Sequence, residues 1–168
     1  YYGKRPFRCT HHHGQVNLKQ SIAESCNIYF FKLGEAIGVD RIAQIGNEFG
    51  LGQKTGLSIN PESPGKMPTR AWYTLRYRGQ FRIGFTLNTA IGQGAVLVTP
   101  VQLALAYAAI GNGGTVYSPQ IVRSLETSDG TVYQDFSPRV RQKAHVSPDT
   151  LAKVQAGLHA VVNDELGT

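Results

Sequence analysis

A serine and an asparagine two positions apart, in Ser25-Cys26-Asn27, form the first candidate for chemistry in this chain. A serine hydroxyl both donates and accepts hydrogen bonds, so it can pass a proton from a base to a leaving nitrogen, and the Asn27 carboxamide can hold a substrate carbonyl and orient that base. Acyl transfer by a serine enzyme needs such a relay beside its nucleophile, base and oxyanion donors. Ser-x-Asn is frequent by chance, however, and the triplet alone favours a surface turn.

A second triplet, Lys54-Thr55-Gly56, matches the Lys-Thr-Gly signature of serine acyl-transfer enzymes. A catalytic copy needs an extended strand whose backbone can pair with a substrate. Here the triplet closely follows the helix end expected at Gly50, and Gly52 and Gly56 flank it as turn residues do. We therefore interpret it as a connection. The chain's only Ser-x-x-Lys, residues 63–66, has Pro-Gly at its centre and predicts a turn, not the helix that a nucleophile and its base would share.

The two cysteines, Cys9 and Cys26, are too few for a disulfide scaffold. Cys9 and His13 have a spacing that one metal ion could use, and Cys26 could approach from the next element, which gives three ligands of a tetrahedral set. A Cys9–Cys26 disulfide is a further alternative. Spacing alone favours free thiols beside exposed histidines.

Basic and aromatic side chains alternate in residues 66–82, where much of the net charge of +6 lies. They are Lys66, Arg70, Arg76, Arg78 and Arg82, with Trp72, Tyr73, Tyr77 and Phe81. Such a segment can bind nucleic acid through phosphate contacts and base stacking, and a nucleic-acid-binding module is the alternative function. No RNP, zinc-finger or helix-turn-helix pattern accompanies it, so an amphipathic surface with inward-packed rings is favoured and no nucleic-acid partner is expected.

Capping signals predict where the helices begin and end. Asn17, with Gln20 three positions on, predicts a helix ending near Ala23. Ser25-Cys26-Asn27 interrupts the apolar pattern, because serine and asparagine prefer turns and caps to helix interiors. A second helix is predicted from about Asn27 to Gly38.

Three further helices are predicted. Asp40 is expected to cap one that ends at Gly50. Residues 99–102 start another with a capping box and an N1 proline, and Ser147-Pro148 starts the last. In the second of these, Leu103, Tyr107 and Ile110 mark the apolar stripe, and Ala104, Ala106, Ala108 and Ala109 permit close packing.

A hairpin is predicted from residues 116–125 and 131–136, which flank Asp129-Gly130. Pro119 suggests an edge position for the first strand. The order of helices, hairpin and helix predicts an α+β fold rich in helix.

Length and composition predict a single domain or a piece of one. The chain has 168 residues, of which 41% are hydrophobic and 17% charged, as in an ordinary soluble core-forming protein. No apolar run approaches the roughly 18 residues of a membrane helix, so any anchor is expected outside this chain.

Several motifs, in order along nearly the whole chain, together resemble the class B penicillin-binding proteins, and among them the elongation-type enzymes. The matching segments are 22–34, 49–56, 64–68 with Trp72, 90–94, 99–103, 112–114, 161–163 and 167–168. The resemblance implies a partial penicillin-binding transpeptidase fold, similar to the serine β-lactamases, with one antiparallel hairpin outside the main sheet. It also implies that residues 1–168 are a fragment of a single D,D-transpeptidase domain. The nucleophilic Ser-x-x-Lys would precede the fragment and the catalytic Lys-Thr-Gly would follow it, so the fragment alone is expected to be inactive.

The resemblance further implies a peptidoglycan D,D-transpeptidase that cross-links cell-wall peptides during elongation. Ser25 would relay a proton and Asn27 would position the substrate and the base. The implied partners are peptidoglycan stem peptides, β-lactams and membrane-bound cell-elongation proteins. The implied location is the periplasmic side of the bacterial inner membrane.

Some elongation-type members hold a zinc ion beside the Ser-x-Asn turn, and the resemblance implies a structural zinc here. His13 and Cys26 match two of the ligands, whereas Cys9 lies near the position of an aspartate in those members. A fourth ligand would lie upstream. Phe85 is a second departure, since an aspartate is expected before Thr86-x-Asn88.

Overall fold

The structure, a computed structural model, describes residues 6–57 and 61–168. Within these ranges it contains seven helices and four short strands. The helices are α1 (Leu18–Ala23), α2 (Asn27–Ile37), α3 (Val39–Glu48), α4 (Arg70–Arg76), α5 (Ile83–Ala90), α6 (Pro100–Gly111) and α7 (Pro148–Asn163). The strands are β1 (Thr115–Tyr117), β2 (Ser124–Glu126), β3 (Val132–Asp135) and β4 (Val140–Lys143).

The predicted interruption between the first two helices is present. The Asn17 side chain accepts the Gln20 N–H and the Gln20 side chain accepts the Asn17 N–H, so the capping box that starts α1 is confirmed. Helix α1 ends at Ala23 and α2 begins at Asn27. Ser25 and Cys26 therefore lie in a short turn between two helices.

Two glycines allow the helices on either side of this turn to pack closely on the rest of the fold. A Cβ atom at Gly157 of α7 would lie 2.6 Å from Cδ1 of Ile22, so α1 approaches α7 where there is no side chain. A Cβ atom at Gly34 of α2 would lie 2.5 Å from the Cβ of Ala90 in α5. Contacts this close leave little freedom for α1 and α2 to shift, which fixes the turn between them.

Helices α4 and α5 were not predicted. Helix α4 is short, and its N-cap is Thr69, whose hydroxyl accepts the Trp72 N–H at 3.1 Å. The alternating basic and aromatic residues that follow hide this capping signal in the sequence. The predicted cap at Asp40 is wrong, because Gly38 is the N-cap of α3. The Asp40 carboxylate instead accepts the N–H of Arg70, at 2.7 Å, and so helps to start α4.

The predicted apolar stripe on α6 is wrong at Leu103 and Tyr107, whereas the predicted close packing of alanines is confirmed at Ala106 and Ala109. Leu103 and Tyr107 are 45% and 54% exposed, whereas Gln102, Ala106 and Ala109 are buried. Alanine packs closely against neighbouring elements because it has no long side chain. Ala106 and Ala109 therefore face the core, whereas Leu103 and Tyr107 face outward.

The strands form two separate antiparallel pairs rather than one hairpin. Strands β2 and β3 make the predicted hairpin around Asp129-Gly130, but β1 pairs with β4, which was not predicted. Pro119 lies between β1 and β2, outside both strands, so its predicted edge-strand position is wrong. The proline, which cannot donate to a ladder, lies where the long predicted strand divides in two.

A buried glutamine ties α6 to two loops. The Gln102 side chain donates to the carbonyl oxygens of Gln53, at 2.7 Å, and Pro64, at 2.9 Å, and accepts the Thr99 N–H at 2.9 Å. It is 0% exposed. One amide thus closes the α6 cap and holds both loops against the helix.

Replacing Gln102 with methionine should lower the free energy of unfolding by about 2–3 kcal/mol, because similar volume is kept while several backbone groups lose their partner. Denaturant unfolding measures this difference. Gln44→Met, on the exposed face of α3, is the matched control and should change stability by less than about 0.5 kcal/mol. Equal effects of the two variants would show that Gln102 does not anchor the loops.

Candidate functional site

The turn between α1 and α2, together with the first residue of α2, is called the Ser25 turn (residues 24–27). Ser25 has a φ of 51°, a left-handed conformation that costs a residue with a side chain about 1–2 kcal/mol. The Cys26 N–H donates to the Ser21 carbonyl at 2.9 Å, and the Ser25 N–H donates to the Ile22 carbonyl at 3.3 Å. These bonds hold the strained backbone, and the Ser25 side chain is left exposed.

Ser25 and Asn27 both line one open, largely apolar cleft. Its other lining residues are Ile22, Phe30, Ala90, Ile91, Tyr107, Leu158, Val161 and Val162. The structure therefore brings together the two residues selected from the sequence as relay and positioner. A hydroxyl and a carboxamide beside an apolar wall can bind a polar group whose water has been displaced, where hydrogen bonds are stronger than in bulk solvent.

Thr168 is a neighbour of Ser25 that the sequence did not indicate. Its Oγ1 lies 2.7 Å from Ser25 Oγ, although 143 positions separate the two residues. A long-range contact of this kind leaves no local pattern in a sequence. Thr168 was part of a matched segment but had no assigned role.

Cys9, His13 and Cys26 also come together, with their ligand atoms within 4.8 Å of one another. Cys9 Sγ lies 3.2 Å from His13 Nε2, and it accepts the Asn27 N–H at 3.2 Å. Cys26, the N-cap of α2, is buried. The three predicted metal ligands thus lie at the Ser25 turn, and one of them, Cys26, belongs to it.

Glu24 orients His13, a role that sequence reasoning missed. Its Oε2 lies 2.8 Å from His13 Nδ1. A carboxylate that accepts a hydrogen bond from Nδ1 leaves the other ring nitrogen, Nε2, free to bind a metal. Metal-binding histidines commonly donate their second ring N–H to a carboxylate in this way. A glutamate eleven positions from a histidine could have been found only by placing both in the fold.

The surroundings shift the pKa values of two of these groups. Burial on its own would raise the pKa of Cys9, but hydrogen bonds from the backbone of His11, Asn27 and Ile28 and from the His13 side chain outweigh it and lower that pKa to about 6. The pKa of His13 is raised, mainly by its hydrogen bond to Glu24. A thiolate at neutral pH is the form of cysteine that binds metal.

This donor set fits zinc. Zinc binds thiolate sulfur at about 2.3 Å and imidazole nitrogen at about 2.0 Å, which places ligand atoms of one tetrahedron roughly 3.5–3.8 Å apart. Cys9 Sγ lies 3.2 Å from His13 Nε2 and the three donor atoms lie within 4.8 Å of one another, so small side-chain adjustments would bring them to these separations. Two thiolates and one imidazole are also a common zinc set.

Residues 1–168 match the family described as penicillin binding protein transpeptidase domain. The chain belongs to this family. It is 32% identical over 158 residues to the peptidoglycan D,D-transpeptidase MrdA of Haemophilus influenzae, an alignment that covers 93% of this chain and 24% of that protein.

Solved structures agree with this assignment. The penicillin-binding protein PBP2 from Helicobacter pylori is 30% identical, with a TM-score of 0.85 over 100% of this chain and 30% of that one. The same protein in complex with MreC gives a TM-score of 0.83 at 29% identity, covering 99% of this chain and 30% of that one. The chain therefore spans about a quarter to a third of the proteins it matches, and its helix-rich α+β architecture is the expected part of the transpeptidase fold.

Among the described residues, none of the helices is long and apolar enough to cross a membrane.

The Lys54-Thr55-Gly56 triplet of this transpeptidase segment lies in an irregular connection and not in a strand. Thr55 is buried, and its N–H and hydroxyl both donate to Glu62, as does the Gly56 N–H. These bonds, led by that from the Thr55 hydroxyl, hold the pKa of Glu62 below its ordinary value. Thr55 and Gly56 of the triplet therefore bind the Glu62 side chain, which is a structural role.

The aromatic rings of the basic segment contact one another. Tyr73 is buried and stacks on Phe85 at 4.5 Å, and Tyr77 stacks on Phe85 at 4.6 Å. The ammonium of Lys66 lies 4.5 Å from the centre of the Trp72 ring. The amphipathic interpretation is therefore the better one, and nothing in the comparisons supports nucleic-acid binding. The cluster also explains Phe85, which supplies a central ring where an aspartate was expected.

Cys9 should react as a low-pKa thiol in protein that has been treated with a chelator. In a Cys26→Ser background, the rate of alkylation by iodoacetamide should rise with a midpoint near pH 6, because the thiolate is the reactive form. His13→Gln should raise that midpoint, since it removes one of the stabilising hydrogen bonds. A midpoint near pH 8.5, the ordinary value for cysteine, would contradict the described surroundings of Cys9.

Glu62→Gln should lower the melting temperature at neutral pH, because a carboxylate that accepts from Thr55 and Gly56 is replaced by a weaker acceptor. The folded-state pKa of Glu62 is lowered, so its stabilisation is present above the ordinary value of 4.5 and is lost as the pH falls through the folded-state pKa. Melting curves from pH 7 to pH 3 should therefore show the wild type and the variant converging in acid. A difference that stays constant across this range would contradict the prediction.

Proposed function

We propose that the chain forms the Ser-x-Asn side of the catalytic cleft in a peptidoglycan D,D-transpeptidase. The observation that carries this proposal is the Ser25 turn, which presents Ser25 and Asn27 together at the edge of an apolar cleft. Residues 1–168 would be a fragment of that single catalytic domain, with the Ser-x-x-Lys nucleophile segment and the catalytic Lys-Thr-Gly strand outside it. The fragment alone would not form a penicilloyl ester.

Ser25 and Asn27 would serve the proton transfers of acylation. As the nucleophilic serine attacks the carbonyl carbon, its proton passes to a base and the departing amine must receive one. Ser25 Oγ can accept a proton from the protonated base and give its own hydrogen to that amine, so it ends as a neutral hydroxyl. The Asn27 carboxamide can donate to a substrate carbonyl and accept from the base.

The substrates would be peptidoglycan stem peptides, and β-lactams would acylate the same nucleophile. The largely apolar wall around Ser25 and Asn27 supports a bound substrate sheltered from water. The relative from Helicobacter pylori has been solved in complex with MreC, which supports a protein partner here as well. The family resemblance implies that such partners are membrane-bound cell-elongation proteins. The domain would act in the periplasm, held at the inner membrane by an anchor outside the chain.

We also propose a structural zinc held by Cys9, His13 and Cys26, with a fourth ligand from outside the chain. Bound zinc would supply folding free energy and a rigid link, and no redox chemistry. Glu24 would orient His13, and Cys9 would keep its hydrogen bond from the Asn27 N–H. Because Cys26 lies between Ser25 and Asn27, the ligands would fix the backbone that carries both.

Removing the Ser25 hydroxyl should slow acylation of the full-length protein by a fluorescent penicillin by about 10²–10⁴-fold, the usual effect of a lost proton-transfer group. Ser25→Ala and Ser25→Gly should both show this loss. The glycine variant also relieves the strain of the positive φ at this position. If the slower acylation came from lost stability, the glycine variant would be less affected than the alanine variant, whereas loss of the hydroxyl would slow both equally. Lys54→Ala, in the other triplet, is the control and should stay within a few-fold of wild type. Wild-type rates for Ser25→Ala would remove the relay role.

Elemental analysis of the full-length protein should find one zinc per chain. Cys26→Ser and His13→Gln should lose it, and a chelator should lower the melting temperature of the wild type. His12→Gln is the matched control, because His12 is an exposed neighbour outside the ligand cluster, and it should keep its zinc. Metal-free protein, or a Cys9–Cys26 disulfide in place of the metal, would end this proposal.

A further inference from the structure

Thr168 makes three contacts with the Ser25 turn and the end of α1. Its Oγ1 lies 2.7 Å from Ser25 Oγ and donates to the Ala23 carbonyl at 3.2 Å. Its N–H donates to the same carbonyl at 3.1 Å. The two hydroxyls therefore form a short chain of hydrogen bonds that ends on the backbone of α1.

The approach of Thr168 depends on the residues that follow α7. The Gly167 N–H donates to the Asp164 carbonyl at 2.9 Å, which turns the chain back toward α1. A side chain at Gly167 would collide with the Val161 carbonyl oxygen, so only glycine allows this return. The Asp164 carboxylate lies 2.9 Å from the Lys19 ammonium of α1 and adds a second tie. Thr168 is thus delivered to Ser25 by the same α1–α7 contact that holds the turn.

The hydroxyl hydrogens of Ser25 and Thr168 can be placed in two arrangements. Each hydroxyl has one hydrogen. In the first arrangement Thr168 donates to the Ala23 carbonyl, and Ser25 donates to Thr168. In the second, Thr168 turns and donates to Ser25, which releases the Ser25 hydrogen for another acceptor. The Ala23 carbonyl keeps a partner in both, because the Thr168 N–H also donates to it.

We propose that Thr168 is a positioning residue for Ser25, an inference that rests on the proposed function. Its hydroxyl holds Ser25 Oγ in place in both arrangements. As Ser25 gives its hydrogen to the leaving amine and takes one from the base, the Thr168 hydroxyl reverses its direction without any heavy atom moving. Thr168 touches neither substrate nor nucleophile in this scheme and acts only through Ser25.

The test is penicillin acylation of the full-length protein, resolved into the non-covalent dissociation constant and the first-order acylation rate constant. Thr168→Val keeps the shape and removes the hydroxyl, and it should lower the rate constant about tenfold, the scale of one lost hydrogen bond. The dissociation constant should stay unchanged. Thr168→Ser keeps the hydroxyl and should restore most of the rate.

Thr150→Val is the matched control. Thr150 and Ser147 form another hydroxyl pair, 2.9 Å apart and exposed at the start of α7, outside the residues that line the cleft. Removing the hydroxyl there should leave both constants at wild-type values. A similar loss from Thr150→Val would mean that the Thr168 effect reports general stability, which would overturn the proposal.

A double mutant separates this inference from the proposed function. In the Ser25→Ala background, Thr168→Val should cause no further loss, because Thr168 acts through the missing hydroxyl. A full additional tenfold loss there, or wild-type kinetics for Thr168→Val alone, would overturn the positioning role while leaving the Ser25 relay intact. Wild-type kinetics for Ser25→Ala would instead overturn the relay and the positioning role with it.

Discussion

The close approach of α1 to α7, where Gly157 leaves space for the Ile22 side chain, determines where the Ser25 turn lies. Helix α1 has only six residues and would not be stable in isolation, so its position depends on packing. The turn that follows it includes a residue with positive φ, which persists only when its surroundings hold it. The Gly34–Ala90 contact fixes α2 on the other side of the turn. The position of the Ser25 turn depends on these two contacts.

The four residues of the Ser25 turn each face a different partner. Glu24 binds His13, Ser25 meets Thr168, Cys26 belongs to the thiol cluster, and the Asn27 N–H donates to Cys9. These contacts hold the backbone of the turn, while the Ser25 and Asn27 side chains line the cleft and the Thr168 hydroxyl contacts that of Ser25. A strained turn held by several contacts within the protein keeps its geometry without needing contacts from the substrate.

Local signals were enough to predict the break that creates the turn. The capping box at Asn17 and the cap-favouring residues at 25–27 depend on neighbours a few positions away, and they placed the ends of α1 and α2 correctly. The exposure of Leu103 and Tyr107 on α6 could not be predicted, because an apolar pattern does not show which of its residues meet a neighbouring element. Glu24 and Thr168 were missed because their contacts are not local in sequence. Phe85 also gained its explanation only from the ring cluster, where Tyr73 and Tyr77 stack on it.

The chain's two triplets show why a short motif needs its surroundings before it indicates chemistry. A catalytic Lys-Thr-Gly strand must offer free backbone groups to a substrate. At Lys54-Thr55-Gly56 the N–H groups of Thr55 and Gly56 already donate to Glu62, so pairing with a substrate would first require those charge-assisted bonds to break. At the Ser25 turn the backbone N–H groups are also satisfied, but the task assigned to that turn belongs to side chains, and those face the cleft. A motif can therefore be functional only if the groups that its chemistry needs, backbone or side chain, can still bind a substrate. In a structural copy of the motif those groups are already bonded within the protein.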